Sequence, residues 1–279
     1  MLFRSNYKVP LTVWGGGSGS QGGALPMQGG IVLDTKKMNR IVEIDKTSLT
    51  VTAETGIIMQ HLEWALEREG LATMHVPASI GRATLGGFLA HRGTGVLSTK
   101  YGKIEDMIMS LEAVLADGTL INTLKVPRHA SGPDLNQLFL GSEGTLGVMT
   151  KATLKIHPLP ETRRFHAFVF PDLHAGLEAG RQIMVRRLRP SVIRLYDEAE
   201  TRRLIRRVLG IEKEGAYLVF GFDGDQDLVD LEMSKALAIC RALPHEDLGP
   251  KLGEEWWEHR YDFFFPNHMF HLPQDFGTL

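Results

Sequence analysis

Apolar and polar positions change rhythm along the chain, and the changes mark its elements. Lys8–Trp14 and Gly30–Leu33 predict two short strands with a glycine-rich stretch between them. Arg40–Ile44 and Leu49–Ala53 predict a hairpin closed by Asp45-Lys46-Thr47, with β-branched residues on both sides. The period then lengthens. In TGIIMQHLEWALEREG, Ile58, Leu62, Ala65 and Leu66 share one helical face, and Gly70 ends the run. Ile80–Arg92 is rich in small residues. Ile104–Leu115 combines a turn with a strand, and Asp117-Gly118 signals a hairpin into TLINTL. Asp134–Leu140 suits a short helix, and Gly144–Pro158 returns to strands.

Leu159-Pro160-Glu161 predicts a domain boundary, which gives two domains over residues 1–160 and 161–279. Beyond it Arg164–Phe170 reads as a strand and Pro171–Arg189 as an amphipathic helix. Pro190–Asp197, the Arg-rich stretch Glu198–Leu209, AYLVFGF and Gln226–Ala242 continue the alternation of strand and helix. The whole is α+β, and the second part predicts helices on one face of a mainly antiparallel sheet. The spacing of Arg202, Arg203, Arg206 and Arg207 suits a solvated helix face.

Between the first two strands stands GGGSGSQGG. A nucleotide P-loop is excluded, because no Gly-Lys-Ser/Thr follows. A Rossmann turn matches by its letters, Gly17-x-Gly19-x-x-Gly22, and would make the protein an NAD-dependent reductase. Such a turn runs directly into a helix. Here Pro26, Gly29 and Gly30 follow, and then the strand IVLD. A helix-free cradle of backbone amides fits that context, since successive glycine N–H groups converge on an anion. A plain flexible surface turn is the alternative.

Composition narrows the class. Thirty-one basic and 33 acidic residues give a net charge of −2, which offers no footprint for nucleic acid. No apolar run reaches transmembrane length, and no secretion signal opens the chain. The single cysteine, Cys240, lies in a helical pattern, reads as a small core residue and fits a reducing, cytoplasmic compartment. The chain enters its first strand almost at once and closes on HLPQDFGTL, so it reads as a fragment.

VWGGGSGSQGG resembles the pyrophosphate loop of the flavoprotein family that includes vanillyl-alcohol oxidase, D-lactate dehydrogenase and the glycolate oxidase flavin subunit. PASIGRATLGGFLAHRGTG, KYGKIEDMIMSLEAVLADGTLI and GSEGTLGVMTKATLKIHPLPE resemble its later blocks in the same order, out to Glu161. FPDLHAGLEAGRQI, RPSVIRLYDEAE and WWEHRYDFFFPNHM resemble alkyldihydroxyacetonephosphate synthase and its bacterial relatives. The resemblance implies an FAD-binding domain of the PCMH type, incomplete at its N-terminus. An α+β substrate or cap domain would follow it, incomplete at its C-terminus.

It also implies roles. Trp14, Gly15, Gly16, Gly17, Ser18 and Gly19 would hold the FAD pyrophosphate. Ala78, Ser79, Ile80, Gly81, Arg82, Ala83 and Thr84 would lie beside the flavin, with Gly87, His91, Arg92, Gly93 and Thr94. Glu143, Gly144, Thr145, Leu146, Gly147, Val148 and Met149 would continue the pocket. The glycine loop holds no histidine, so the FAD is expected to be noncovalent. His75 and Arg194 are candidate active-site residues. Arg260 is expected to grip a small anionic substrate, because a guanidinium offers paired donors to a carboxylate or phosphate. Its other reading is an ion pair with Glu254, Glu255 or Asp262.

The expected activity is FAD-dependent oxidation of a small acid such as a 2-hydroxy acid, or the exchange of an acyl chain for a fatty alcohol. A non-catalytic fragment is the reading from another class. The expected partners are the small anionic substrate and, for assembly, a second copy in a homodimer, without nucleic acid or a transmembrane segment.

Overall fold

The computed structural model describes residues 2–263. The tail of the second predicted domain, including FFPNHM, lies outside the described residues. The chain divides into two compact units. The first runs to Gly95 and resumes over Tyr101–Leu159; the second takes in Val96–Lys100 and the chain from Pro160 on.

In the first unit, β1 (Leu11–Trp14) and β2 (Ile31–Asp34) pair in parallel, Leu11 with Ile31 through Trp14 with Asp34. Residues 15–30 between them form turns and bends and no helix. Lys8 adopts a positive φ of 51°, so the first strand starts at Leu11, later than its apolar pattern predicts. β3 (Ile41–Asp45) and β4 (Thr50–Glu54) form the predicted hairpin, and the Asp45 carboxylate accepts the Thr47 and Ser48 amides at its turn.

Helix Met59–Glu67 buries Met59, Leu62, Glu63 and Leu66. The inward acidic residue is what periodicity misses, and Ala65, expected on the buried face, is half-buried. β5 (Leu71–Ala72) follows, then helix Leu85–His91, capped by the Thr84 hydroxyl accepting from the Gly87 amide. β6 (Ile108–Val114) and β7 (Leu120–Asn122) turn at Gly118, whose φ of 91° explains the glycine. β8 (Val148–Lys155) completes an antiparallel sheet of order β3-β4-β8-β6-β7. β9 (His157–Pro158) pairs with β5.

In the second unit, β10 (Thr162–Phe170), β11 (Val192–Tyr196), β12 (Ala216–Gly224) and β13 (Glu246–Leu248) form an antiparallel sheet of order β11-β12-β10-β13. Alternation sends Phe168, Phe170, Leu218, Phe220 and Phe222 to one face. Helices Leu173–Val185 and Gln226–Arg241 cover them with Ala179, Ile183, Val229, Ala236, Ile239 and Cys240. Cys240 is therefore the core residue its sequence setting predicts, and burial pushes its thiol up to about 12.

The opposite face is not bare. Helix Gly249–Glu258 lies on it: a β-carbon on Gly253 would come within 2.9 Å of Phe165 Cβ, and Phe165 stacks on Trp257 at 5.2 Å. The sheet therefore has helices on both faces, not on one. The Arg-rich stretch Glu198–Leu209 is helical, with a π turn over Thr201–Ile205. Arg202 and Arg206 pair with Glu214 and Glu212 on its exposed side.

Candidate functional site: an amide cradle and an arginine cluster

Three sequence stretches meet around the glycine loop, all inside the first unit. A β-carbon on Gly15 would overlap the Thr84 hydroxyl, and one on Gly16 the Arg82 carbonyl oxygen. A β-carbon on Gly23 would overlap the Glu143 carboxylate, and one on Gly144 would lie 3.3 Å from Val13. Glycine is thus needed here for close backbone approach. Gly17 adopts φ +63° beneath the Trp14 indole.

Among the described residues, none of the amides of Gly15, Gly16, Gly17, Ser18 and Gly19 donates a hydrogen bond, and Gly17 to Gly19 are exposed. The amides of Gly81, Thr84, Gly144, Leu146 and Gly147 likewise have no acceptor. Unpaired N–H groups on the loop and on the segments packed against it are donors that an anion would satisfy. A pyrophosphate with its attached flavin fits that donor set.

The predicted contact residues divide by exposure. Arg82, Gly87, His91, Thr94, Glu143, Thr145 and Leu146 are exposed. Ala78, Ser79, Gly81 and Gly144 are half-buried; Ile80, Ala83, Thr84, Gly93 and Gly147 are buried. Val148 and Met149 belong to β8 and are buried. Arg92 is an anchor: its φ of 54° caps helix Leu85–His91, and its guanidinium donates to the carbonyls of Leu140 and Gln137 at 3.0 and 2.9 Å. Glu143, in its own left-handed conformation at φ 48°, stands 3.6 Å from His91.

His75 sits among these stretches but fully buried. Phe88 meets its ring edge-on at 5.0 Å, and neither ring nitrogen has a partner. Burial drops its pKa to about 4, so the ring is neutral. Its amide donates to the Thr73 hydroxyl at 3.1 Å. The Thr73 hydroxyl and amide in turn donate to the buried Glu63 carboxylate, whose pKa burial raises to about 7.

The second unit carries its own constellation, on the sheet face under helix Gly249–Glu258. The Arg260 guanidinium stacks on Trp257 at 4.0 Å and Tyr261 at 4.3 Å, and donates to the Trp257 carbonyl and the Tyr261 hydroxyl. It therefore pairs with none of Glu254, Glu255 and Asp262. Its Nε is buried without an acceptor, and burial lowers its pKa from the usual arginine value. Arg163 lies over the same Trp257 ring at 4.6 Å; its Nη2 donates to the fully buried Asp223 carboxylate at 3.3 Å. Lys100 reaches Asp223 at 2.9 Å. Arg194 lies over Tyr196 at 5.9 Å. The Trp256 indole donates to the Tyr196 hydroxyl at 3.0 Å, which fixes that ring.

β2 continues into residues the sequence reading did not single out. The Thr35 amide and hydroxyl both donate to the Trp14 carbonyl, at 2.9 and 3.1 Å. Lys36 Nζ donates to the Gly15 carbonyl at 3.3 Å and pairs with Asp34 at 2.8 Å. A lone Thr-Lys after a strand carries no motif, so only the fold shows where it points.

Comparison with known proteins places two domain families on the chain. Residues 2–124 match the FAD binding domain family, and residues 159–270 match the FAD linked oxidases, C-terminal domain family. The chain thus joins an FAD-binding domain to an FAD-linked oxidase C-terminal domain. It is 42% identical over 167 residues to alkyldihydroxyacetonephosphate synthase of Caenorhabditis elegans, covering 60% of this chain and 28% of that protein. It is 34% identical over 241 residues to glycolate oxidase subunit GlcD of Bacillus subtilis, covering 85% of this chain and 51% of that one. A solved alkyldihydroxyacetonephosphate synthase structure superimposes with a TM-score of 0.81 at 29% identity, over 94% of this chain and 51% of that one. The chain spans about half or less of the length of these relatives. Among the described residues no helix is long and apolar enough to cross a membrane.

Proposed function

We propose that the chain is the FAD-binding and cap portion of an FAD-dependent oxidoreductase acting on a small anionic substrate. Residues 1–160 would form the FAD domain and 161–279 the cap. The observation that carries this is the cradle: a glycine loop of unpaired amides packed on the Arg82–Thr84 and Glu143–Gly144 segments. Gly15 to Gly19 would donate to the pyrophosphate, and no histidine in the loop offers a covalent link. When bound, FAD supplies a two-electron acceptor.

The protein's own contribution is charge and position. Arg260, with Arg163 and Arg194 on the same sheet face, offers cations to a carboxylate or phosphate. Contact with the Trp257 and Tyr261 rings and hydrogen bonds to the Trp257 carbonyl and Tyr261 hydroxyl hold the Arg260 guanidinium before any substrate arrives, which lowers the entropy cost of binding. His75, neutral and without partners at its ring nitrogens, has a free lone pair and a free N–H for a proton held inside the first unit. A cytoplasmic setting fits a chain whose one thiol is buried.

A second reading is favoured by the synthase match over 94% of the chain: exchange of an acyl chain for a fatty alcohol without net oxidation. The test is a flavin spectrum of the purified protein, followed by two assays. Turnover of 2-hydroxy acids supports the oxidative reading; turnover of acyl-dihydroxyacetone phosphate with a fatty alcohol supports exchange. A colourless protein that FAD does not reconstitute overturns both. Light scattering on the same sample checks the homodimer.

A further inference from the structure

We infer that Thr35 and Lys36, at the end of β2, are the positioning residues that aim the cradle's amides; this rests on the FAD reading above. The peptides of the described chain are all trans. In a trans peptide the carbonyl and the following N–H point in opposite directions. The Trp14 carbonyl is held from one side by the Thr35 amide and hydroxyl. The Gly15 N–H is thereby turned away from β2. The Gly15 carbonyl is held in the same way by Lys36 Nζ at 3.3 Å, which turns the Gly16 N–H away too.

Glycine needs this restraint more than any other residue, because its backbone otherwise samples both signs of φ. Two of the three consecutive glycines, Gly15 and Gly16, thus have their N–H directions set by β2. The third, Gly17, has its own fixture in the Trp14 ring.

The restraining pair is itself restrained. Thr35 is buried, and its carbonyl accepts from the Met38 amide at 2.8 Å. A β-carbon on Gly56 would overlap that same carbonyl oxygen, so the main chain here is packed closely. The Asp34 carboxylate accepts both the Lys36 amide, at 3.0 Å, and the Lys36 ammonium, at 2.8 Å. Lys36 holds the Asp34 pKa below the usual carboxylate value, so the pair stays charged at neutral pH. A donor set in place before binding spends no ordering free energy when the anion arrives.

The test is FAD affinity of the flavin-stripped protein, read by fluorescence titration alongside melting temperature. Thr35→Val keeps shape and charge but loses the hydroxyl; Lys36→Met loses the ammonium. Each is expected to weaken FAD binding by up to about tenfold, the worth of one hydrogen bond. Thr35→Ser and Lys36→Arg are expected to restore affinity to within about twofold, since each again places a donor on the same carbonyl. Equal affinity across all four variants overturns the inference and leaves the FAD reading intact. Affinity that falls only in step with melting temperature, without rescue by Ser or Arg, assigns the pair to folding alone and also overturns it. A wild-type protein that binds no FAD overturns the functional reading, and this one with it.

Discussion

Gly16 and Arg82 share a space with no room for a side chain: a β-carbon on Gly16 would overlap the Arg82 carbonyl oxygen. Gly19, three residues on, has nothing within 4 Å of the same added atom. The two glycines serve different needs, although the sequence writes them alike. Gly16 permits the loop to lie against the segment that ends at Thr84. Gly19 leaves open space beside an exposed amide.

The contrast predicts opposite outcomes for one substitution. Gly16→Ala must push the loop off Arg82 and is expected to cost about 1–3 kcal/mol of stability, as overpacking does. Gly19→Ala is expected to leave the melting temperature of the flavin-free protein within about 1 °C, the effect of an ordinary surface change. It is expected to weaken FAD binding if the Gly19 amide meets the pyrophosphate. Calorimetry on the stripped protein and a flavin titration separate the two effects. Equal melting temperatures for both variants would contradict the packing just described.

Much of this was legible in the chain. The strand–loop–strand context of GGGSGSQGG argues against a Rossmann turn, and residues 15–30 contain no helix. Strands and helices were readable because their faces alternate or repeat cleanly, as in Phe168, Phe170 and Ile183. What escaped were contacts that join distant segments. The burial of Glu63 is not legible in its helix, because nothing local announces Thr73 as its partner. Helix Gly249–Glu258 was missed because its buried residues, Gly253 and Trp256, are too few to make a stripe. Arg260 stood among acids in sequence, yet the fold gave it two aromatic rings instead.

Glu63 and His75 predict a pH signature with opposing signs. Burial raises the Glu63 pKa from 4.5 to about 7, so its contribution is full below about 4.5 and is lost as pH rises through 7. Burial lowers the His75 pKa from 6.5 to about 4, so its contribution is full above about 6.5 and is lost as pH falls through 4. Each slope is about 1.4 kcal/mol per pH unit, and between about 4.5 and 6.5 the two oppose each other. Glu63→Gln is expected to expose the His75 slope, with stability rising with pH across that window. His75→Leu is expected to expose the reverse. Melting curves from pH 4.5 to 8 check both; a Glu63→Gln profile parallel to wild type would rule out the buried carboxylate.

Trp256 and Tyr196 make a narrower prediction. The indole N–H donates to the Tyr196 hydroxyl inside the core, and both rings pack on Phe263. Tyr196→Phe leaves that donor buried and unmatched, at a cost of about 1–3 kcal/mol. Trp256→Phe also opens a cavity and is expected to cost more. Denaturant unfolding of the two variants gives the order, and a costless Tyr196→Phe would show that the hydrogen bond contributes nothing net.

Arg260 carries the sharpest functional prediction. Its guanidinium lies over the Trp257 and Tyr261 rings, and its terminal nitrogens donate to the Trp257 carbonyl and the Tyr261 hydroxyl, so the group is held in place before any substrate arrives. Lysine keeps the charge but neither stacks as a plane nor forks its donors. Arg260→Lys is therefore expected to raise KM for the anionic substrate about ten- to a hundredfold, the worth of a charge-assisted hydrogen bond, while kcat changes less. Trp257→Leu would free the guanidinium without removing it and is expected to raise KM by a smaller factor, because what is lost is orientation. Steady-state kinetics on both variants, with the flavin spectrum as a check that the first unit is intact, decides the matter. An unchanged KM in Arg260→Lys would make Arg260 a packing residue under the Gly249–Glu258 helix, and the anion site would then fall to Arg163 and Arg194.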